Sequence, residues 1–386
     1  MSLYMTRRYV LFLPASCVAL ALAFLALPRP AWSQAPPGPI HTKPGVHAED
    51  TPTAEQRKHA IRVRVDEVTA PVTVLDSSGE IVFNLTKENF HIFDNGAEQK
   101  IEHFDLGGDP LSIVLVIETS SHIEPMFPAV RHTGIIFAET VMALTSEAAV
   151  IGYDDSVDLL QKFTTDSDGV QNVVNTMRMG TSGTRLYDAM ARGISLLEQR
   201  PPIRRRIMVV VGEAQDTGSE NKLGEVLRQA HLANVIIYSI GLSTTMADLR
   251  AKPKEPPPGI GPPGTFPVPT PRGQPQTPQT EAQVQGNIDY LALAIWLIKT
   301  GKNALGQNSL EIASKSTGGL HLNTMRDRTI ERALDSIGGE IHAQYTLGYR
   351  PPGDEPSGYH EIKVVVDRPG VTVRSRPGYY LPPPES

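Results

Sequence analysis

The feature that most constrains this chain is one apolar run, residues 111–117, which reads Leu-Ser-Ile-Val-Leu-Val-Ile. Its length and its β-branched residues predict a strand covered on both faces, in the middle of a mostly parallel sheet. The run ends in Glu118-Thr-Ser-Ser-His122, a cluster of oxygen and nitrogen side chains. In open α/β sheets ligands bind at the carboxyl ends of the strands. We therefore expect the functional site at this strand end.

The segment from about residue 109 to residue 344 alternates apolar strands with helical periodicity. Residues 207–211 and 235–240 are two further apolar strands, and the helices between strands carry apolar residues spaced by three and four. This alternation predicts a doubly wound α/β domain. Residues 252–281 interrupt it with a Pro-rich stretch that fits neither helix nor sheet, and we expect a mobile insertion there.

Short alternating runs typical of β-strands flank this domain. The N-terminal β segment, residues 59–108, contains runs such as 71–75, 81–85 and 90–93, and the C-terminal β segment covers residues 345–386. Each segment has too few strands to form a stable sheet by itself. We predict that the two segments pair into one β-sandwich with the α/β domain inserted between them.

The N-terminus has the pattern of an export signal. Residues 1–33 contain Arg7-Arg8, an apolar stretch and the small-x-small site Ala31-Trp-Ser33, and we expect cleavage there. The only cysteine, Cys17, would be removed, so the mature chain has no disulfide or thiolate site. Residues 34–58 are predicted to be a disordered Pro-rich linker. The protein is expected in the periplasm, the cell envelope or the extracellular space, with membrane contact only through an uncleaved signal segment.

The strand-end cluster and two later motifs resemble the von Willebrand factor type A domain. That family holds Mg²⁺ with an Asp-x-Ser-x-Ser strand end, a Thr and a second Asp, and the open coordination position takes a partner's carboxylate. Here the resemblance covers residues 109–344 and assigns the corresponding positions. They are Glu118, Ser120 and His122, then Thr184 in Gly183-Thr-Arg-Leu-Tyr-Asp-Ala189, and Glu213 in Val209-Val-Val-Gly-Glu213, where the family strand usually ends Thr-Asp-Gly.

The flanking β segments resemble a narrower group. Leu85-Thr-Lys-Glu-Asn-Phe at the N-terminal side, and Tyr345-Thr-Leu-Gly-Tyr349 with Arg376-Pro-Gly-Tyr379 at the C-terminal side, are similar to exported von Willebrand type A-related proteins common in Acidobacteria. This resemblance spans nearly all of the mature chain. It implies an architecture, whereas the function of that group is poorly defined.

Three hypotheses describe metal binding at the altered site. Glu118 and Glu213 keep the charge of the family's aspartates but are one methylene longer, and His122 replaces a hydroxyl ligand with an imidazole, which does not suit Mg²⁺. Mg²⁺ binding is therefore weak or absent, and Glu118, His122 and Glu213 then form a hydrogen-bonded polar cluster. Alternatively the site works in altered form with Mg²⁺ or another divalent cation, or it holds Zn²⁺ or Mn²⁺ with His122 as a ligand.

The favoured function is a non-enzymatic, exported protein-binding protein, for adhesion or as a scaffold. It would engage another protein through Ser120, Thr184 and Glu213, and no catalytic residue is assigned. The alternative is a structural envelope assembly protein without metal, and a third hypothesis is a metal-dependent hydrolase. The net charge of -6 with 20% charged residues gives no basis for nucleic-acid binding. We interpret Asp154 and Asp166 as turn and N-cap carboxylates, and Arg204–Arg206 as a solvated loop.

Overall fold

The computed structural model describes residues 67–142, 145–243, 290–300, 309–324, 327–351 and 356–381. All of them belong to one compact unit, Ala60–Ser386. The predicted signal peptide 1–33, the linker 34–58 and the Pro-rich insertion 252–281 lie outside the described residues.

The described residues form strands and helices in the alternation that the sequence predicts. The strands are β1 (Val68–Leu75), β2 (Phe90–Asp94), β3 (Ala97–Gln99), β4 (Ile101–Leu106), β5 (Leu111–Glu118), β6 (Glu147–Tyr153), β7 (Val157–Thr164), β8 (Arg205–Gly212), β9 (Val235–Leu242), β10 (His321–Thr324), β11 (Tyr345–Tyr349), β12 (Gly358–Val366), β13 (Thr372–Ser375) and β14 (Gly378–Leu381). The α-helices are α1 (Phe127–Ile136), α2 (Ser167–Thr176), α3 (Leu186–Glu198), α4 (Leu223–Leu232), α5 (Tyr290–Thr300), α6 (Ser309–Thr317) and α7 (Asp327–Ala343).

The central sheet has six strands in the order β10-β9-β8-β5-β6-β7. Strand β7 runs antiparallel to β6, and the other neighbours are parallel. All eight residues of β5 are buried, as expected for a strand covered on both faces. Its two parallel neighbours are β8 and β6, so the carboxyl ends of these three strands meet at one edge of the sheet.

Helices cover both faces of this sheet. Alternate side chains of β5 point to opposite faces, because the side-chain period of a strand is two. Ile113 and Leu115 pack in a core with apolar residues of α1, α2 and α7. Val114 and Val116 pack in a second core with apolar residues of α3, α4, α5 and α6. The arrangement is a doubly wound α/β domain.

The remaining strands form two four-stranded sheets, β13-β1-β11-β4 and β14-β12-β2-β3. Each sheet combines strands from before and after the α/β domain, since β1 pairs with β11 and β2 pairs with β12. One apolar core containing Val72, Ile92, Leu347 and Val364 joins them into a sandwich. The predicted fold class, a doubly wound domain inserted between β segments that complete one sandwich, is confirmed.

Residues 81–85 depart from the predicted strand. Ile81 forms a single bridge to Leu75, the Val82 amide bonds the Val74 carbonyl at 2.9 Å, and the rest of the run is irregular. The Tyr345 hydroxyl donates to the Val82 carbonyl oxygen at 2.8 Å and accepts from the Leu85 amide at 3.2 Å. At these two backbone groups a tyrosine far along the chain takes the place of a neighbouring strand.

The interpretation of Arg204–Arg206 as a solvated loop is wrong. The three side chains lie at the amino edge of the central sheet and donate to groups at the ends of strands and helices. Arg204 bonds the Leu111 carbonyl and Ser112 Oγ, Arg205 bonds the Ile341 carbonyl and Gln344 Oε1, and Arg206 bonds the Ala233 and Arg200 carbonyls. A guanidinium offers several donors in a fixed fork, which suits this role.

Within the described part of the chain, no helix combines the length and the apolar character that crossing a bilayer requires.

Candidate functional site

Three chain segments converge at the carboxyl edge of the central sheet. They are the end of β5 with the turn that follows it, the end of β8, and the loop before α3. The β5 turn is tied to the loop before α3 by two backbone hydrogen bonds, from the Ser121 amide to the Thr181 carbonyl at 2.7 Å and from the Gly180 amide to the Thr119 carbonyl at 2.8 Å. We call this region the carboxyl rim.

Glu118 is the buried centre of the carboxyl rim, with 0% exposure. Its Oε1 accepts from Ser120 Oγ at 2.5 Å, and its Oε2 accepts from the Glu213 backbone amide at 2.6 Å. The Tyr153 hydroxyl donates to Oε2 at a longer 3.5 Å. All three donors are neutral.

The environment of Glu118 favours its protonated form. Burial raises the pKa of this carboxyl from its ordinary 4.5 to about 7, and the nearby charge of Glu213 adds to the rise. The hydrogen bonds from Ser120 and the Glu213 amide lower the pKa only in part. A buried carboxylate held by neutral donors is a site where a cation would be stabilised.

Gly212 makes the room that Glu118 occupies. A Cβ at position 212 would overlap the Tyr153 hydroxyl and would lie 2.8 Å from Oε2 and 2.9 Å from Cβ of Glu118. A side chain at position 212 would therefore collide with both Tyr153 and Glu118, so the observed position of the Glu118 carboxylate depends on this glycine.

Three candidate ligands meet at the carboxyl rim. One ligand atom each from Glu118, His122 and Glu213 all lie within 4.8 Å of one another. Glu118 is buried, Glu213 is partly buried and His122 is exposed, so the group opens to solvent on the histidine side. Two ligands that are each about 2.1 Å from one ion lie about 3.4 Å apart in a tetrahedral site, so a divalent cation fits once the three groups move toward one another.

Ser120 and Thr184 occupy different positions relative to that group. Ser120 is buried, donates to Glu118 and accepts from the His122 amide at 3.3 Å, where it caps the 3₁₀ turn Ser121–Met126. Thr184 is also buried, but its hydroxyl and its amide both bond Thr217 Oγ1 at 3.1 Å. Thus Ser120 belongs to the Glu118 network, while the hydrogen bonds of Thr184 connect the loops around it.

Carboxylates in the surrounding loops act as supports, as predicted. Asp154 accepts from the Ser156 amide at 2.7 Å and from the Thr181 amide at 2.9 Å. Burial alone would raise the pKa of Asp154, but these hydrogen bonds outweigh it and the pKa is lowered. Asp166 caps α2 by accepting from the Gly169 amide at 3.1 Å. The interpretation of both as turn and cap residues is confirmed.

Sequence reasoning missed three residues of the carboxyl rim: Tyr153, Gly212 and Thr217. Tyr153 ends the buried strand β6 opposite Glu118, and a tyrosine closing an apolar run was a usable signal. Gly212 follows the valine run 209–211 and directly precedes Glu213. Thr217 lies in an irregular loop five residues after β8, where no periodicity indicated that it would bond Thr184.

Comparisons with known proteins find several solved structures that are similar to this chain. No family model and no curated protein matches the sequence. The conserved hypothetical protein BatB from Bacteroides thetaiotaomicron aligns at 11% identity and a TM-score of 0.37, over 60% of this chain and 98% of that one. An aerotolerance-related membrane protein from Bacteroides fragilis aligns at 10% identity and a TM-score of 0.37, over 60% and 99%.

The VWA domain of SpRpn10 is a third similar structure, at 14% identity and a TM-score of 0.30, over 36% of this chain and 78% of that domain. Because these identities are below 25% and these TM-scores are below 0.5, we draw no functional conclusion from the three structures. The strand order and the helices on both faces show a doubly wound α/β domain from this chain's own elements.

Proposed function

We propose that the carboxyl rim is a protein-binding surface, and that the protein is an exported, non-enzymatic adhesion or scaffold protein. This role accords with the resemblance to exported von Willebrand type A-related proteins. A divalent cation held by Glu118, His122 and Glu213 would offer its open coordination position to a carboxylate of the partner. Of the predicted contact residues Ser120, Thr184 and Glu213, only Glu213 is partly exposed, so it would contact the partner while the buried Ser120 and Thr184 support the surface from below.

The observation that carries this proposal is the meeting of two carboxylates and an imidazole within 4.8 Å at the solvent-facing end of two adjacent strands. Like charges are held together here without a basic partner among the three donors to Glu118. Such an arrangement favours binding of a cation, and a cation that keeps an open position can accept a ligand from another molecule.

The loops around the carboxyl rim are held in place by hydrogen bonds, which suits a binding surface. Asp188 at the start of α3 accepts from the Glu220 amide at 3.1 Å and from the Asn221 amide at 2.9 Å. The Arg185 guanidinium donates to the same carboxylate at 2.8 Å. Because these bonds fix the loop after β8 onto α3, little conformational entropy is lost when a partner binds to this surface.

One observation supports the alternative, a structural envelope assembly protein that uses no metal. Both oxygens of Glu118 already accept hydrogen bonds from the protein, so the cluster is satisfied without an ion. In this case the carboxyl rim is a stable polar end of the sheet, and interactions of the protein do not depend on a cation.

Capture of envelope proteins distinguishes the two functions. Immobilised purified protein is incubated with solubilised envelope proteins, with and without chelator, and compared with the variant Glu213→Gln. Glu198→Gln is the matched control, since Glu198 is an exposed glutamate at the far end of α3. We expect a specific partner to bind the wild type and Glu198→Gln, and to be lost in chelator and from Glu213→Gln. Equal capture in all four conditions would contradict binding through the carboxyl rim and support the alternative.

A further inference from the structure

We infer that the cation of the carboxyl rim is a transition metal of the Zn²⁺ type, bound by His122 together with Glu118 and Glu213, and that the site discriminates against Mg²⁺. This inference names the ion at the site of the proposed function, so it rests on that site, although it does not require that a partner protein binds there.

The imidazole of His122 is the first reason. Mg²⁺ takes oxygen ligands in near-octahedral geometry and gives up water reluctantly, whereas imidazole is a common ligand of Zn²⁺. His122 is exposed and is the second residue after Ser120, whose hydroxyl accepts from its amide. The ring therefore belongs to a capped turn rather than to a free loop, and one of its nitrogens lies within 4.8 Å of both carboxylates.

The reach of the two glutamates is the second reason. Gly212 leaves the space into which the carboxylate of Glu118 extends, toward Glu213. Carboxylates bind Zn²⁺ directly at about 2.0–2.2 Å, so both glutamates can serve as ligands beside the imidazole. Two carboxylates and one imidazole make three protein ligands, and three ligands leave the fourth tetrahedral position open for a water or a partner's side chain.

The hydrogen bonds of Glu118 are compatible with direct binding. An ionised carboxylate offers about four lone-pair sites on its two oxygens. Ser120 Oγ, the Glu213 amide and the distant Tyr153 hydroxyl take up three of them at most. An ion can therefore coordinate Glu118 while Ser120 continues to orient the carboxylate, in the way that outer hydrogen bonds orient metal ligands.

Titration calorimetry of the purified full chain with Zn²⁺, Mn²⁺ and Mg²⁺ tests the inference. We expect Zn²⁺ to bind with one site that is at least about 100-fold tighter than Mg²⁺. The chain has 11 histidines, so the comparison with variants decides. His122→Ser should weaken Zn²⁺ binding at that site at least about tenfold. The matched control His103→Ser, an exposed histidine on β4, should leave it unchanged.

A second readout identifies the ligand itself. Co²⁺ in a tetrahedral site with an imidazole gives visible absorption bands, which we expect with the wild type and His103→Ser and not with His122→Ser. Mg²⁺ binding as tight as Zn²⁺, or unchanged Zn²⁺ affinity in His122→Ser, would overturn the inference. If Zn²⁺ fails to bind while Glu213→Gln still loses its partner, the ion assignment falls and the protein-binding proposal stands. If Zn²⁺ binds as expected while capture of the partner is unaffected by chelator and by Glu213→Gln, the ion assignment stands and the protein-binding proposal falls.

Discussion

Two buried glutamates at opposite edges of the central sheet show how differently one side chain can be used. Glu147 begins β6 at the amino edge, and Glu118 ends β5 at the carboxyl edge. Their exposures are 9% and 0%. The strands on which they lie are direct neighbours, yet the groups that surround the two carboxylates differ in charge.

Glu147 is neutralised by the protein itself. Its two oxygens accept from the Arg200 guanidinium at 2.7 Å each, and Ser112 and Arg204 complete its shell. Burial by itself would raise the pKa of Glu147, but the bonds from Arg200 and Ser112 and the charge of Arg204 outweigh it, so the pKa is lowered. This glutamate is one member of a closed structural ion network.

Glu118 has neutral donors where Glu147 has guanidinium groups, and its pKa is raised to about 7. The difference teaches that burial of a carboxylate does not decide its role. At the amino edge the cation is covalently part of the chain, as Arg200 and Arg204. At the carboxyl edge the donors to Glu118 are neutral, and the raised pKa of Glu118 favours its uncharged form instead.

The largest effect is expected from breaking the amino-edge network. Arg204→Ala removes the donor to the Leu111 carbonyl, the Thr145 carbonyl and Glu147, and so breaks the ion network around the buried Glu147 in part. We expect the free energy of unfolding to fall by about 3–5 kcal/mol, which urea denaturation measures.

The control for that experiment is Arg192→Ala. Arg192 is an exposed residue of α3, so its removal should change the free energy of unfolding by no more than about 0.5 kcal/mol. If the free energy of unfolding falls as little in Arg204→Ala as in the control, the amino-edge network contributes little to stability. The two edges of the sheet would then not differ in how strongly their charged groups stabilise the fold.

The next effect concerns the pH dependence of stability in chelator. The folded protein keeps the proton of Glu118 up to about pH 7, whereas the unfolded chain loses it near 4.5. The contribution of Glu118 is therefore fully present below pH 4.5 and is lost as pH rises through about 7. Relative to Glu118→Gln, which cannot ionise, the wild type should lose at most about 3 kcal/mol between pH 4.5 and 8.

For Glu147 the stability contribution changes with pH in the opposite direction. Because the pKa of Glu147 is lowered by folding, its contribution is present above the ordinary pKa and is lost as pH falls through the lower, folded-state value. The variant Glu147→Gln should therefore be less stable than the wild type at pH 8. Urea denaturation of both variants over this pH range tests the comparison directly, and pH profiles of the same sign would contradict it.

The smallest of the three effects is expected from Gly212→Ala. The added Cβ overlaps the Tyr153 hydroxyl and displaces the Glu118 carboxylate. We therefore expect the free energy of unfolding to fall by about 1–3 kcal/mol, and metal binding to weaken. Gly218→Ala is the matched control, because its nearest neighbour would be Arg185 Cγ at an ordinary 3.5 Å. Equal stability of the two variants would show that the rim can accommodate a side chain at position 212.

The sequence predicted what depends on periodicity. The run that became β5, the helical stripes and the two incomplete β segments each carry a local pattern, and together they required the inserted architecture that the structure has. The position of Glu118 followed from its place at the end of an apolar strand, whereas Glu213 was assigned through the resemblance to the von Willebrand factor type A domain. The resemblance is therefore what predicted that two residues 95 positions apart lie near each other.

What could not be predicted depends on single side chains that reach across the fold. In the sequence, Arg204–Arg206 have the pattern of a polar loop. The carbonyl groups to which they donate come from distant parts of the chain and are brought together only at the folded edge of the sheet. The irregular run 81–85 has strand periodicity, yet the Tyr345 hydroxyl takes the place of a neighbouring strand. The close approach of Glu118 and Tyr153 to Gly212 likewise follows from distances in the fold and not from a sequence pattern.

The pairing of the sandwich has a consequence for the order of folding. Among the first four strands only β2 and β3 pair with each other, while β1 and β4 both pair with β11, and Leu85 bonds Tyr345 across 260 positions. Contacts so distant in sequence form slowly, because a long loop must close before they are gained. Strands β1 and β4 therefore keep unpaired edges until β11 is available to pair with them. A nascent chain is then open to wrong strand pairing at β1 and β4 until β11 has been synthesised and pairs with both.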